Sequence, residues 1–280
     1  MFAQSGEENQ RLLERDRLSI LLAVTLMGAT LFRFVELPTF SWGVRRILGS
    51  PLGFTLSGDW LLSLLMMGLV ASGTFSLLRA HPDQSSQERP LVFSLITPTF
   101  GALLSSLLLI NSASWPIWLG SLVLTGFLIG ILVHLTYTAF SVEGRGYVSA
   151  RTLLNVADYL LSFLLFSILF SAGERALVRG PLIFVMSGLW SMELLSSSGA
   201  QPRQVLLFSG LIALLGSELA WVLGYWPVSA WAAAALLSLC LYVGTGISYQ
   251  YLLNKLQRRI WVEFAVLALI VFILVLVIRP

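Results

Sequence analysis

The chain has 280 residues, of which 57% are hydrophobic and only 11% charged, with a net charge of +3. Soluble domains carry about a quarter charged residues, so this composition belongs to membrane proteins, and the length counts spans rather than soluble domains. The arginines are scattered over loop ends and form no stripe, which argues against nucleic acid, and the single cysteine, Cys240, excludes a disulfide framework and a thiolate metal cluster.

Residues 1–17 are polar, and EENQRLLERDR has the makings of a short surface helix. Arg11, Arg15 and Arg17 precede the apolar run Leu18–Val35. No A-x-A-like cleavage site follows, so this run reads as an uncleaved first span. Further runs long enough for about 30 Å of hydrocarbon lie at Trp60–Leu78, Leu91–Ile110, Trp115–Phe140, Thr152–Ser171, Pro181–Ser197, Gln204–Tyr225, Val228–Tyr249 and Trp261–Ile278. The expected fold is therefore an all-α polytopic membrane bundle of about nine transmembrane helices, with residues 18–280 as one transmembrane domain.

Basic residues in short loops set the orientation. With the N-terminus inside, Arg11, Arg15, Arg17, Arg79, Arg89, Arg145, Arg151, Arg203, Lys255, Arg258 and Arg259 fall on the cytoplasmic side, against Arg45, Arg46, Arg175, Arg179 and Arg279 outside. This predicts an N-in, C-out protein of the cell (inner or plasma) membrane. The sixth run is short and carries Glu193; without it Lys255, Arg258 and Arg259 would change sides. Trp42, Trp60, Trp115, Trp118, Trp221, Trp226 and Trp231 then mark one interface, and Tyr137, Tyr147, Tyr249 and Tyr251 the other.

The longest outer loop, Glu36–Asp59, mixes Phe40, Trp42, Ile47, Leu48, Leu52 and Phe54 with glycine and proline, and reads as a segment lying on the membrane surface. The other loops are too short to fold alone. Chemistry, if any, is confined to the bilayer or its edge. Pro98 in the third span and Gly188 with Glu193 in the sixth occupy corresponding positions in a scheme of three-span inverted repeats, which transporters use.

The fifth span holds the main candidate site. Arg151, Asn155, Asp158 and Ser162 recur at i, i+4, i+7 and i+11, one stripe of a helix, and such a stripe must face protein or water. Asp158 lies about 9 Å inside a helix entering from the cytoplasm, and His134 and Glu193 lie near the inner ends of the fourth and sixth spans. One reading makes these three a proton-relay or cation-binding pocket. The plainer one makes Asp158 polar glue, held by Asn155 and Ser162 or paired with an arginine of another helix.

Glu218, well inside the seventh span with no basic neighbour on its own helix, is either a protonatable carrier site or a glutamate hydrogen-bonded to Ser209, Ser217 or a neighbouring helix. Arg33 with Glu36 and Arg259 with Glu263 have ion-pair spacing, and Asp59 reads as a helix cap. Gly126 and Gly130, with Gly120, Gly244 and Gly246, invite close helix packing.

Absences narrow the chemistry further. With only His81 and His134, no H-E-x-x-H zinc site or bis-histidine haem forms within one chain. Lys255 follows no glycine-rich loop, so a Walker A site is excluded, and no G-x-S-x-G nucleophile elbow occurs. No catalytic residue, metal or cofactor is therefore assigned. The leading expectation is a non-enzymatic subunit or scaffold of a membrane assembly, with membrane lipids and other membrane proteins, or a homo-oligomer, as its partners. A secondary, proton-coupled transporter using Glu218 and the His134, Asp158 and Glu193 group is the alternative, and a lipid-modifying membrane enzyme the third reading.

Overall fold

The computed structural model describes residues 2–35, 40–47, 50–56, 58–81, 90–141, 146–173, 175–255 and 257–277; side chains before Asp16, within the 40–56 segment and in parts of the last helix lie outside this description. Among the described residues ten helices follow one another as α1 (Phe2–Phe34), α2 (Gly58–Arg79), α3 (Leu91–Ser94), α4 (Ile96–Ile110), α5 (Trp115–Thr138), α6 (Tyr147–Ser171), α7 (Ala176–Ser196), α8 (Pro202–Tyr225), α9 (Ala230–Leu252) and α10 (Arg258–Val277). Between α1 and α2 lies a hairpin of β1 (Phe40–Ile47) and β2 (Ser50–Leu56).

Among the described residues, eight stretches are long and apolar enough to cross a bilayer: Asp16–Phe34, Gly58–Arg79, Leu91–Ile110, Trp115–Thr138, Tyr147–Ser171, Ala176–Ser196, Pro202–Tyr225 and Ala230–Leu252. They coincide with the first eight predicted spans. Helix α10, only part of whose side chains is described, covers the ninth. The chain is a polytopic helical membrane protein.

Several boundaries differ from the sequence reading, each for a local reason. The polar N-terminal segment is no separate surface helix but the first part of a 33-residue α1. The third span breaks at Leu95, where a turn separates α3 from α4. Pro98 explains the break, since its ring crowds the carbonyl of Ser94 and it cannot donate to it. Pro181 does not start the sixth span; it lies inside α7, which begins five residues earlier. Asp59 falls in the first turn of α2 rather than before it, where a carboxylate still favours the N-terminal end of the helix dipole. Within the 36–59 loop, read as an interfacial segment, the described residues Phe40–Ile47 and Ser50–Leu56 pair antiparallel, Phe40 with Leu56 and Ile47 with Ser50, with an irregularity between Trp42 and Arg45. Glu36, the expected partner of Arg33, lies outside the described residues.

Contacts divide the chain into two compact units, Met1–Gln84 with Pro98–Val142, and Ser85–Thr97 with Glu143–Pro280. In the first unit Leu21 and Ala29 of α1, Leu62, Met66 and Val70 of α2, Ala102 and Leu109 of α4, and Trp118, Ile129 and Val133 of α5 form one buried cluster. The G-x-x-x-G of α5 is used here: Gly126 faces Leu26 and Gly130 faces Leu22, so α1 and α5 pack closely. Ser106 of α4 donates to Ser63 of α2 at 2.9 Å, a polar link of the kind that joins helices in hydrocarbon.

In the second unit α7 packs along α8, α6 along α9 and α7, and α9 along α8 and α10. Phe166 of α6 meets Trp190 of α7 edge-on at 5.7 Å, both fully buried. Gly216 lets α8 approach Ser187, and Gly244 lets α9 approach Ile212. Arg259 and Glu263 form the expected i,i+4 pair at 2.9 Å on the exposed start of α10.

A Cβ on Gly101 would collide with the side chain of Leu132, which is itself 2% exposed and has no room to swing. Gly101→Val is therefore expected to cost about 1–3 kcal/mol, read by unfolding of the purified protein in mild detergent. Gly68→Ala, whose methyl meets open space, is the control and is expected to cost nothing.

Candidate functional site

Helix α6 begins after Gly146, whose φ of 99° is a left-handed conformation that glycine adopts without strain. That start places Arg151 inside the helix, more than one turn from its end. The polar stripe faces protein as its spacing required: Arg151, Asp158 and Ser162 are buried, and Asn155 is half-buried. Glu193 occupies the last turn of α7 and is 2% exposed.

The structure brings Arg151 and Glu193 together. Arg151 Nη1 donates to Glu193 Oε1 at 2.7 Å, while Nη2 donates to the backbone carbonyl of Glu193 at 3.1 Å and approaches that of Leu194 at 3.5 Å. The guanidinium thus neutralises the carboxylate and also covers carbonyls that the end of α7 leaves without helical partners. Three consecutive serines complete this helix end, with Ser196, Ser197 and Ser198 donating to the carbonyls of Glu193, Leu194 and Leu195 at 2.7–2.8 Å. Beyond them Gly199 turns the chain with a φ of +71°.

Asp158, fully buried, accepts a 2.7 Å hydrogen bond on Oδ1 from Thr97 at the start of α4. It lies within electrostatic range of both Glu193 and Arg151. Asn155 and Ser162 do not hold it; Ser162 donates to the Tyr159 carbonyl instead. Tyr159, the next residue on α6, hydrogen-bonds Thr245 of α9 at 2.9 Å and packs on Tyr242. Neither Thr97 nor Tyr159 stood out in the sequence, because hydroxyls inside apolar runs are common and carry no spacing signal.

The Arg151 guanidinium thus bonds Glu193 and lies within electrostatic range of Asp158 without bonding it. Asp158 Oδ2, Glu193 Oε2, Asn155 Oδ1 and Arg151 Nε make no hydrogen bond among the described residues. Among the same residues, no three of His, Cys, Asp and Glu come together there to hold a metal. A buried cluster of this kind can fix helices or hold one small cationic group.

The remaining candidates lie elsewhere. His134 is exposed on α5 of the first unit, its carbonyl accepting from Thr138 at 2.9 Å. Glu218 is exposed on α8 and makes no hydrogen bond or ion pair among the described residues; neither Ser209 nor Ser217 faces it, since Ser209 is buried and Ser217 donates to the Gly180 carbonyl of α7 at 3.1 Å.

A family model described as a protein of unknown function, DUF5656, matches residues 41–278. The chain belongs to the DUF5656 family. No curated protein matches it, and no solved structure does. The segment matched to DUF5656 runs from the hairpin into the last residues and contains Arg151, Asp158, Glu193 and Glu218; all of α1 lies before it.

Removing one partner of a buried ion pair strands the other. Arg151→Met in this DUF5656 protein is expected to cost about 3–5 kcal/mol, measured as loss of unfolding stability in detergent. The double variant Arg151→Met with Glu193→Met is expected to recover part of that loss. Asp158→Asn keeps an acceptor for Thr97 and is expected to cost less than either single change at the pair.

Proposed function

We propose that this DUF5656 protein is a non-enzymatic subunit of a membrane assembly that docks on a partner helix through α8. Glu218 carries the reading. It lies 16 residues into α8, about 24 Å from its start and about 10 Å from its end at 1.5 Å per residue, well within hydrocarbon. Around it Leu207, Leu211, Leu214, Trp221 and Tyr225 are all exposed and share its face, at the 3.6-residue average spacing of one helix stripe. A carboxyl on a lipid-facing stripe costs about 2.5–3.5 kcal/mol on insertion scales. A helix presenting a hydroxyl, amide or basic group at that depth removes the cost and fixes the register. Charge complementarity favours such a partner over a second copy, which would set carboxyl against carboxyl.

A second reading, a secondary transporter, draws support from the two carboxyl groups within electrostatic range of one guanidinium in the α6–α7 cluster. The lipid-enzyme reading draws none, because Asp158 is enclosed.

The test is extraction from the native membrane in mild detergent, with wild type, Glu218→Gln and Glu218→Leu side by side. A stoichiometric membrane partner is expected with wild type, to weaken with Glu218→Gln and to be lost with Glu218→Leu. The unfolding stability of the isolated chain should not fall in either variant, because Glu218 contacts no polar group within it among the described residues. A monomer or homo-oligomer indifferent to both changes would overturn the subunit reading, and loss of solute flux in Asp158→Asn vesicles would replace it with transport.

A further inference from the structure

We infer that the start of α7 is a phosphate-binding site, built on Arg179 and filled by the headgroup of an anionic phospholipid. Arg179 is only 8% exposed, yet its guanidinium has no carboxylate and no hydrogen bond among the described residues, and its Nε is fully enclosed without an acceptor. Its Cζ lies 4.2 Å from the ring centroid of Phe170, at the end of α6. On the other side Nη2 abuts Gly224, where any Cβ would collide with it. The guanidinium is thus clamped between a ring and a bare glycine backbone with its donor edges unspent. That planar fork matches phosphate oxygens.

The surroundings add positive character. Arg179 is the fourth residue of α7, and helical side chains lean towards the N-terminus, so it points back to the helix start. Arg175, the exposed N-cap residue, provides no side-chain cap. Its carbonyl takes the N–H groups of Val178 and Arg179, which leaves those of Ala176 and Leu177 without partners among the described residues. An uncapped N-terminus attracts anions, and a cation in its first turns opposes the helix dipole unless an anion is present. The ends of α6 and α8 nearby offset part of this charge through their own dipoles, but no carbonyl there accepts from the guanidinium.

The lipid source follows from level. The end of α8 beside Arg179 carries Trp221, whose indole covers Gly180, and Tyr225, which is 79% exposed. With Trp231 at the start of α9, 60% exposed, these are the amphipathic rings found at headgroup depth. Glu174 lies outside the described residues and is the one acidic side chain close in sequence, so the test includes it.

The experiment compares thermal unfolding of the full chain in phosphatidylcholine nanodiscs, in the same nanodiscs with phosphatidylglycerol, and with inorganic phosphate added to the first. Phosphatidylglycerol is expected to raise the midpoint of wild type, since a ligand that binds only the folded state stabilises it. Native mass spectrometry should find an anionic lipid retained. Arg179→Gln is expected to weaken that lipid about tenfold, roughly one charge-assisted hydrogen bond. Arg179→Lys, which keeps the charge but not the fork, should fall between. An equal shift with inorganic phosphate alone would overturn the lipid assignment in favour of soluble phosphate. A lipid shift that persists in Arg179→Gln would overturn the site. So would a Glu174→Gln variant that loses as much stability in phosphatidylcholine as Arg179→Gln, because Glu174 would then be the counter-ion.

Discussion

The second unit depends on the buried contact between Arg151 of α6 and Glu193 of α7. Two ions inside a membrane helix pair cannot each keep a water shell, and desolvating either costs several kcal/mol. Their 2.7 Å contact offsets that cost, and the second guanidinium nitrogen covers carbonyls at the end of α7. This geometry fixes the rotation of α6 and the level at which α7 stops. Once α6 is so turned, Asp158 and Ser162 are buried, Tyr159 reaches Thr245 on α9, and Phe166 meets Trp190.

The sequence carried the components of this contact but not their pairing. Arg151, Asn155, Asp158 and Ser162 share a stripe by arithmetic alone, and that they face protein follows from the cost of ions in lipid. That Arg151 takes Glu193 cannot be read from periodicity, because the residues are 42 apart on different helices. The same holds for Thr97 and Asp158, 61 apart. Short-range features fared better: Gly126 with Gly130 and Arg259 with Glu263 behave as their spacing implies. The hairpin escaped because its aromatic and glycine-rich strands are short and equally suited to a membrane surface. The start of α7 escaped because Pro181 resembles a helix opening, although a proline one turn further in forfeits only one backbone bond.

Exposure separates three arginines of similar appearance in the sequence. Arg259 pairs with Glu263 in the open, both side chains more than half exposed, and such pairs are worth about 0.2–1 kcal/mol. Arg151 is enclosed and carries the architecture of α6 and α7. Arg179 is as little exposed as Arg151 but less deeply surrounded by protein, and it meets a ring and a glycine instead of a carboxylate. Burial alone therefore does not make an arginine structural; what lies against its donor edge decides.

Helix α7 meets one of these arginines at each end, Arg151 of α6 at its C-terminus and its own Arg179 near its N-terminus. At its C-terminus the dipole is negative, three serines complete the last carbonyls, and Arg151 adds charge of the favoured sign. At its N-terminus the dipole is positive, no side chain caps the free N–H groups, and Arg175 and Arg179 add charge of the disfavoured sign. A helix finished so completely at one end and left so cationic at the other is balanced only halfway among the described residues. The phospholipid headgroup proposed at the start of α7 would supply the remaining half. On α8, the exposed carboxyl of Glu218 makes no hydrogen bond or ion pair among the described residues, and in the proposed assembly a donor of the partner helix would meet it. Unmatched among the described residues, the two charges lie on adjacent helices: Arg179 sits against Gly224, about 9 Å along α8 from Glu218, and each is proposed to meet a different partner.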